Sequence, residues 1–250
     1  LVKGRLPLAG AEVIPDRLND LDSVLKAKKL GEVAISAEKV VLMGHSLGAL
    51  TAILASGAKI DDQLGDRCQK VLDNLSLTNL SSLLQCQLVD ITLPDRRKMG
   101  NLSAIVGINS FGSFLWQVNS DNQTNVPLFL TGGTFDLVTP AISEQLGLLL
   151  SVGSSPFSRV LLIEGASHFS PIRVEGQMSQ SEGKDLFNLG ESIVGYHPLS
   201  VQSLLAFQIV SFLDKLEEKK SIPSKINLTK DELKFHILDR TIIEKLVNVQ

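Results

Sequence analysis

Five consecutive residues, Gly44-His45-Ser46-Leu47-Gly48, carry the clearest chemical signal in this 250-residue chain. Glycine-x-serine-x-glycine is the form of a nucleophile elbow, a serine on a sharp turn between a buried strand and a helix. The turn holds the serine in strained backbone geometry, and glycine at both flanks leaves room for chains that approach closely. The Ser46 hydroxyl is then lifted clear of the sheet, and the Leu47 N–H faces a developing oxyanion from a helix N-terminus. A serine needs a base to become a good nucleophile. The chain has four histidines, at 45, 168, 197 and 236. His45 lies inside the elbow, where its side chain should point away from that of Ser46 and line the site or pack. His197 stands in Tyr-His-Pro at a helix start, and His236 lies near the C-terminus. His168 sits in Gly-Ala-Ser-His-Phe, just past an apolar run ending at Ile163. The carboxylate that would orient an imidazole and stabilise its charged form is Asp136, in Thr-Gly-Gly-Thr-Phe-Asp-Leu-Val-Thr-Pro. Each assignment has a plainer alternative: a chance pentapeptide, a surface-loop histidine, and a turn or helix-capping aspartate. Asp90 and Asp95 are weaker carboxylate candidates.

These residues need a scaffold that brings them to one rim. Residues 39–43 form a short apolar run before the elbow, and residues 47–56 are rich in Ala and Leu. Residues 102–109, 126–131 and 159–163 are similar runs. Continuous rather than alternating apolarity marks strands buried on both faces, as in a parallel sheet. Helical patterns are expected at 14–30, 141–150 and 199–215, with Gly31 as a stop for the first. Strands alternating with helices predict an α/β fold with a mostly parallel sheet and helices on both faces. Parallel strands open their C-terminal ends on one edge, where ligands bind. Asp136 and His168 both follow such ends. Residues 57–100 break the alternation and read as a helical cap insertion; 171–195 is a polar, Gly-containing loop. The expected domain plan is a core over 1–219 and a helical tail over 220–250. In the tail, Thr229 and Glu232 have capping-box spacing for a helix over 230–238.

Composition narrows the class. The chain is 44% hydrophobic with net charge −3, which suits one domain with decorations and offers no basic stripe for nucleic acid. No apolar run of about 18 residues predicts a membrane span, so no stable membrane insertion is expected. No clustered ligand spacing implies a metal, and no cofactor is expected. Cys68 and Cys86 are either two buried thiols or one disulfide, which would close a loop of 18 residues and add about 3 kcal/mol by chain entropy. Five Asn-x-Ser/Thr sequons, at Asn74, Asn79, Asn101, Asn122 and Asn227, carry little weight. The chain begins at Leu1, not Met, and reads as a fragment or processed form. The compartment therefore stays open: cytoplasmic or, with a disulfide, periplasmic or secreted. The oligomeric state is equally open.

Gly44–Gly48, the GTFDLVTP stretch and the EGASHFS stretch together resemble bacterial α/β-hydrolases of the dienelactone-hydrolase-like and platelet-activating-factor-acetylhydrolase-like kind, in particular cyanobacterial ones. The segment ending NLSSLLQC and the turn NSFGSF resemble that group too, over residues 14 to 215. The resemblance implies Ser46 as nucleophile, Asp136 as orienter and His168 as base, in the chain order Ser, Asp, His of that fold. Dienelactone hydrolases proper use cysteine, so Ser46 departs from a lactonase pattern. The implied activity is cleavage of a small-molecule ester or lipid through an acyl-enzyme. A thioesterase or acyltransferase could use the same residues, and a catalytically silent binding protein could keep the fold. Phe111, Phe114, Leu115 and Trp116 are candidates for an apolar acyl pocket, or for core under the insertion. The fold's second oxyanion N–H normally follows an earlier strand, often at a His-Gly pair, and residues 1–38 hold neither. Roughly half the sheet would then precede Leu1. These 250 residues by themselves are expected to expose an apolar strand edge and to be poorly soluble or inactive.

Overall fold

The structure, a computed structural model, describes residues 10–27, 29–34, 38–73, 80–94, 101–118, 123–172 and 198–247. Helix α1, Ile14–Lys26, starts with Pro15 in its first turn and buries Ile14 and Leu18. It ends short of residue 30 because Gly31, at φ +59°, turns a small antiparallel hairpin of β1 (Lys29–Leu30) and β2 (Val33–Ala34).

Among the described residues the main sheet has six strands. In chain order they are β3 (Val40–His45), β4 (Leu102–Ile108), β5 (Leu128–Gly133), β6 (Arg159–Ile163), β7 (Lys225–Lys230) and β8 (Leu233–Leu238). The spatial order is β3-β4-β5-β6-β8-β7. The first four are parallel, and the last two join antiparallel. Alternate residues of each strand face opposite sides, so the sheet has two cores. On one face Leu42, Ile105, Leu128, Leu130 and Val160 pack with α1, with α2 (Leu47–Ala55) and with α5 (Gly147–Val152). On the other, Ala104, Val106, Phe129, Leu161 and Ile163 meet Val201, Leu204, Leu205 and Phe212 of α6 (Pro198–Glu217). The Phe129 and Phe212 rings stack with centroids 4.8 Å apart. By length and composition alone α6 could cross a membrane, but its inner face here is a core surface of the sheet.

Between α2 and β4 the chain forms α3 (Leu64–Asp73) and α4 (Leu80–Cys86). The Cys68–Cys86 disulfide joins them, with Cα atoms 5.6 Å apart. A π-helical turn, Ile142–Leu146, precedes α5 where a plain helix was expected. Its Glu144 is fully buried and accepts hydrogen bonds from Ser81 Oγ, from Gln85 Nε2 (3.1 Å) and from the backbone N–H groups of Gly112 (3.0 Å) and Ser113 (3.2 Å). One carboxylate thus fastens α4 to the loop after β4.

The C-terminal segment differs from the sequence expectation. Residues 230–238 form no helix; β7 and β8 make a hairpin whose turn residues, Asp231 and Glu232, both have positive φ. The burial pattern explains it. Leu233, Phe235 and Ile237 are buried at a spacing of two, the strand period, and this outweighs the Thr229–Glu232 capping signal. Helix α7, Arg240–Val247, follows.

Candidate active site

Ser46 sits between β3 and α2 with φ 53° and ψ −120°, a conformation that costs a non-glycine residue about 1–3 kcal/mol. Two contacts hold it there. The Ser46 N–H donates to the Ile108 carbonyl at 2.9 Å, and the backbone of Gly48 passes so close over Gly44 that a Cβ there would overlap the Gly48 carbonyl. The glycine requirement is one-sided, contrary to the expectation of two crowded flanks. A Cβ on Gly48 would meet nothing within 4 Å. Gly44 has to be small so that the backbone at Gly48 can pass over it. Leu47 opens α2, where the first N–H groups have no carbonyl partner within the helix.

Asp136 and His168 lie beyond the C-terminal ends of β5 and β6 and are hydrogen bonded, His168 Nδ1 to Asp136 Oδ2 at 2.9 Å. Both are buried, at 3% and 6% exposure. The two carboxylate oxygens of Asp136 have separate partners. Oδ1 accepts the backbone N–H groups of Val138 (2.9 Å) and Thr139 (2.7 Å), which is the turn role. Oδ2 faces the imidazole and also accepts from the Thr139 hydroxyl at 2.7 Å. With Nδ1 committed to the carboxylate, Nε2 is the ring nitrogen available as a base. Among the described residues no hydrogen bond joins the Ser46 hydroxyl to His168.

His45 points at His168. Its Nε2 donates to the His168 carbonyl at 2.9 Å, and the two rings lie 4.8 Å apart. Burial holds the pKa of His45 below the ordinary histidine value. Phe111, Leu115 and Trp116 belong to the larger core, and the Trp116 indole N–H donates to the Lys59 carbonyl at 2.7 Å. Phe114 is half-buried, packs on that core and accepts an N–H from Arg67 at its carbonyl. His236 lies on β8 and pairs with Glu164 at 3.0 Å. Asp90 is exposed; Asp95 and His197 lie outside the described residues, as do Asn74, Asn79, Asn122 and most of 171–195. Among the described residues no group of three or more His, Cys, Asp or Glu is placed to hold a metal ion.

Two residues at the site have no counterpart in the sequence reasoning. Asn109, buried with φ +46°, donates through Nδ2 to the Ser167 carbonyl at 3.1 Å. Thr139 touches Asp136, the Asn109 carbonyl and the His168 ring. The Thr139 contact had a local signal, since Asp-x-x-Thr is a spacing at which an Asp carboxylate meets a nearby backbone N–H and hydroxyl. Asn109 had none, because its partner lies 58 residues away.

The strand order, the parallel centre and helices on both faces define an α/β-hydrolase fold. Among solved structures the chain is similar to a ferulic acid esterase from Streptomyces cinnamoneus, with a TM-score of 0.50 and 15% identity, over 92% of this chain and 57% of that one. The likeness is one of fold, and the chain spans little more than half the length of that neighbour. No protein-family model matches the sequence, and no curated protein matches it either.

Proposed function

We propose that this chain is a serine hydrolase that cleaves carboxylic esters of small molecules or lipids through an acyl-enzyme on Ser46. The observation that carries the proposal is the buried Asp136–His168 hydrogen bond of 2.9 Å on the same sheet edge as a serine held at positive φ. In the proposed reaction His168 Nε2 takes the Ser46 proton as Oγ attacks the acyl carbonyl, and then delivers that proton to the leaving alcohol. Asp136 stabilises the imidazolium, and the Leu47 N–H stabilises the tetrahedral oxyanion. Water deacylates the serine by the same route in reverse. The insertion at 57–100 covers access, with Phe114 as the half-buried candidate for the acyl wall and Phe111 and Trp116 in the core behind it. The structural neighbour is a ferulic acid esterase, which supports the reaction class; the resemblance of the Gly44–Gly48, GTFDLVTP and EGASHFS stretches supports placement near the dienelactone-hydrolase-like and platelet-activating-factor-acetylhydrolase-like enzymes. A panel of p-nitrophenyl esters of increasing acyl length tests the proposal. Hydrolysis that disappears in Ser46→Ala is expected; hydrolysis equal in Ser46→Ala and the parent chain would contradict it.

A further inference from the structure

The loop that carries His168 is held by three successive peptide carbonyls, each taken by a donor from a different strand end. Ala166 O accepts the Phe135 N–H at 2.9 Å, from beyond β5. Ser167 O accepts Asn109 Nδ2 at 3.1 Å, from beyond β4. His168 O accepts His45 Nε2 at 2.9 Å, from the last residue of β3. The third bond differs from the others. His45 is covalently next to Ser46, whereas β3 and β6 are three strand spacings apart, about 14 Å at the usual separation. The base must reach back across the tips of β4 and β5 to meet the serine. The other two donors tie the loop to its near neighbours in the sheet.

We propose that His45 is a positioning residue: its Nε2–H···O=C bond to His168 sets the distance between the Ser46 hydroxyl and the His168 imidazole. This rests on the serine-hydrolase proposal and moves His45 from the substrate pocket to the support of the base. Only the Nε2–H tautomer makes the bond. Burial lowers the pKa of the ring and so favours its neutral form beside the His168 ring, 4.8 Å away.

The pair His45→Gln and His45→Asn tests this. Both carry an amide donor, but only the glutamine N–H extends about as far as histidine Nε2. The probe is a fluorophosphonate, with kinact and KI measured separately and thermal unfolding checking that each variant folds. Displacing a catalytic group by about 1 Å can cost on the order of 100-fold. Accordingly, kinact in His45→Asn is expected to fall about 10- to 100-fold with KI nearly unchanged, while His45→Gln stays within about 3-fold of the parent chain. Equal kinact in all three proteins, or a His45→Gln as slow as His45→Asn, would overturn the proposal. Amide hydrogen exchange over residues 164–170 gives a readout independent of labelling: faster exchange is expected in His45→Asn alone, and unchanged exchange overturns the pin. A parent chain that takes no label counts against the serine-hydrolase proposal instead, while the exchange measurement still decides the role of His45.

Discussion

The Asp136–His168 pair and Ser46, the proposed acid–base and nucleophile halves of the site, are held in different ways. Asp136 and His168 are buried, and a mesh of hydrogen bonds from Val138, Thr139, Asn109, Phe135 and His45 fixes both side chains and the loop between β6 and His168. Ser46 follows β3, which among the described residues has a sheet neighbour on one side only. On the face covered by α6 over the central strands, Val41 and Met43 stay 41% and 63% exposed. Ser46 is held by a strained turn, one bond to Ile108 and its neighbour His45. Orientation of the imidazole is therefore over-determined, while the position of the serine depends on a few close backbone contacts.

That contrast can be broken from either side. On the acid–base side, Asp136→Asn should leave the turn bonds at Oδ1 in place and favour the wrong imidazole tautomer. Labelling or turnover should fall about 10⁴-fold with little loss of stability. A change under about 10-fold would show that Asp136 serves the turn alone. On the nucleophile side, Gly44→Ala forces a methyl against the Gly48 backbone and should cost on the order of 3 kcal/mol, read as a lower denaturant midpoint. Gly48→Ala should be neutral or stabilising by about 0.5–1 kcal/mol, since Ala outranks Gly in a helix and the space is open. Equal effects at the two glycines would refute the one-sided crowding.

Glu144→Leu sharpens the same comparison at the insertion. It strips the acceptor from the Gly112 and Ser113 N–H groups and should destabilise the chain by about 3 kcal/mol. A neutral outcome in thermal unfolding would mean that the insertion is held by packing and the disulfide. The smallest expected effect is on pH dependence. His45 has its pKa lowered in the folded chain, so the unfolded chain binds the proton more readily. Its share of stability is complete above the unfolded value of 6.5 and is lost as pH falls from there through the folded value. His45→Gln should remove that part of the acid sensitivity, and unfolding curves at pH 7.5 and 5.5 would reveal it.

What was legible in the sequence follows the range of the forces involved. The parallel strands and the elbow were readable because their signals are local: continuous apolar runs, and a glycine beside a strand end. The β6 limits, Arg159–Ile163, coincide with the expected 159–163. The β7–β8 hairpin is hidden behind the capping-box spacing of Thr229 and Glu232, which points to a helix, whereas the burial of Leu233, Phe235 and Ile237 at a spacing of two makes the segment a strand. Asp136 and His168 were singled out by chain order and strand ends. Their supports were not, since the Asn109–Ser167 and His45–His168 bonds span 58 and 123 residues. Glu144 was invisible for a similar reason: an acid in an apolar helix pattern reads as exposed until the donors that surround it are known.

The central claim is that Ser46 is activated by His168. Mass-spectrometric mapping of fluorophosphonate adducts on the folded chain tests it most directly. A single adduct on the peptide containing Ser46, lost in Ser46→Ala and slowed by at least about 10³-fold in His168→Ala, is the predicted result. An adduct elsewhere that persists in Ser46→Ala, or a Ser46 adduct that forms as fast without the imidazole, would contradict it.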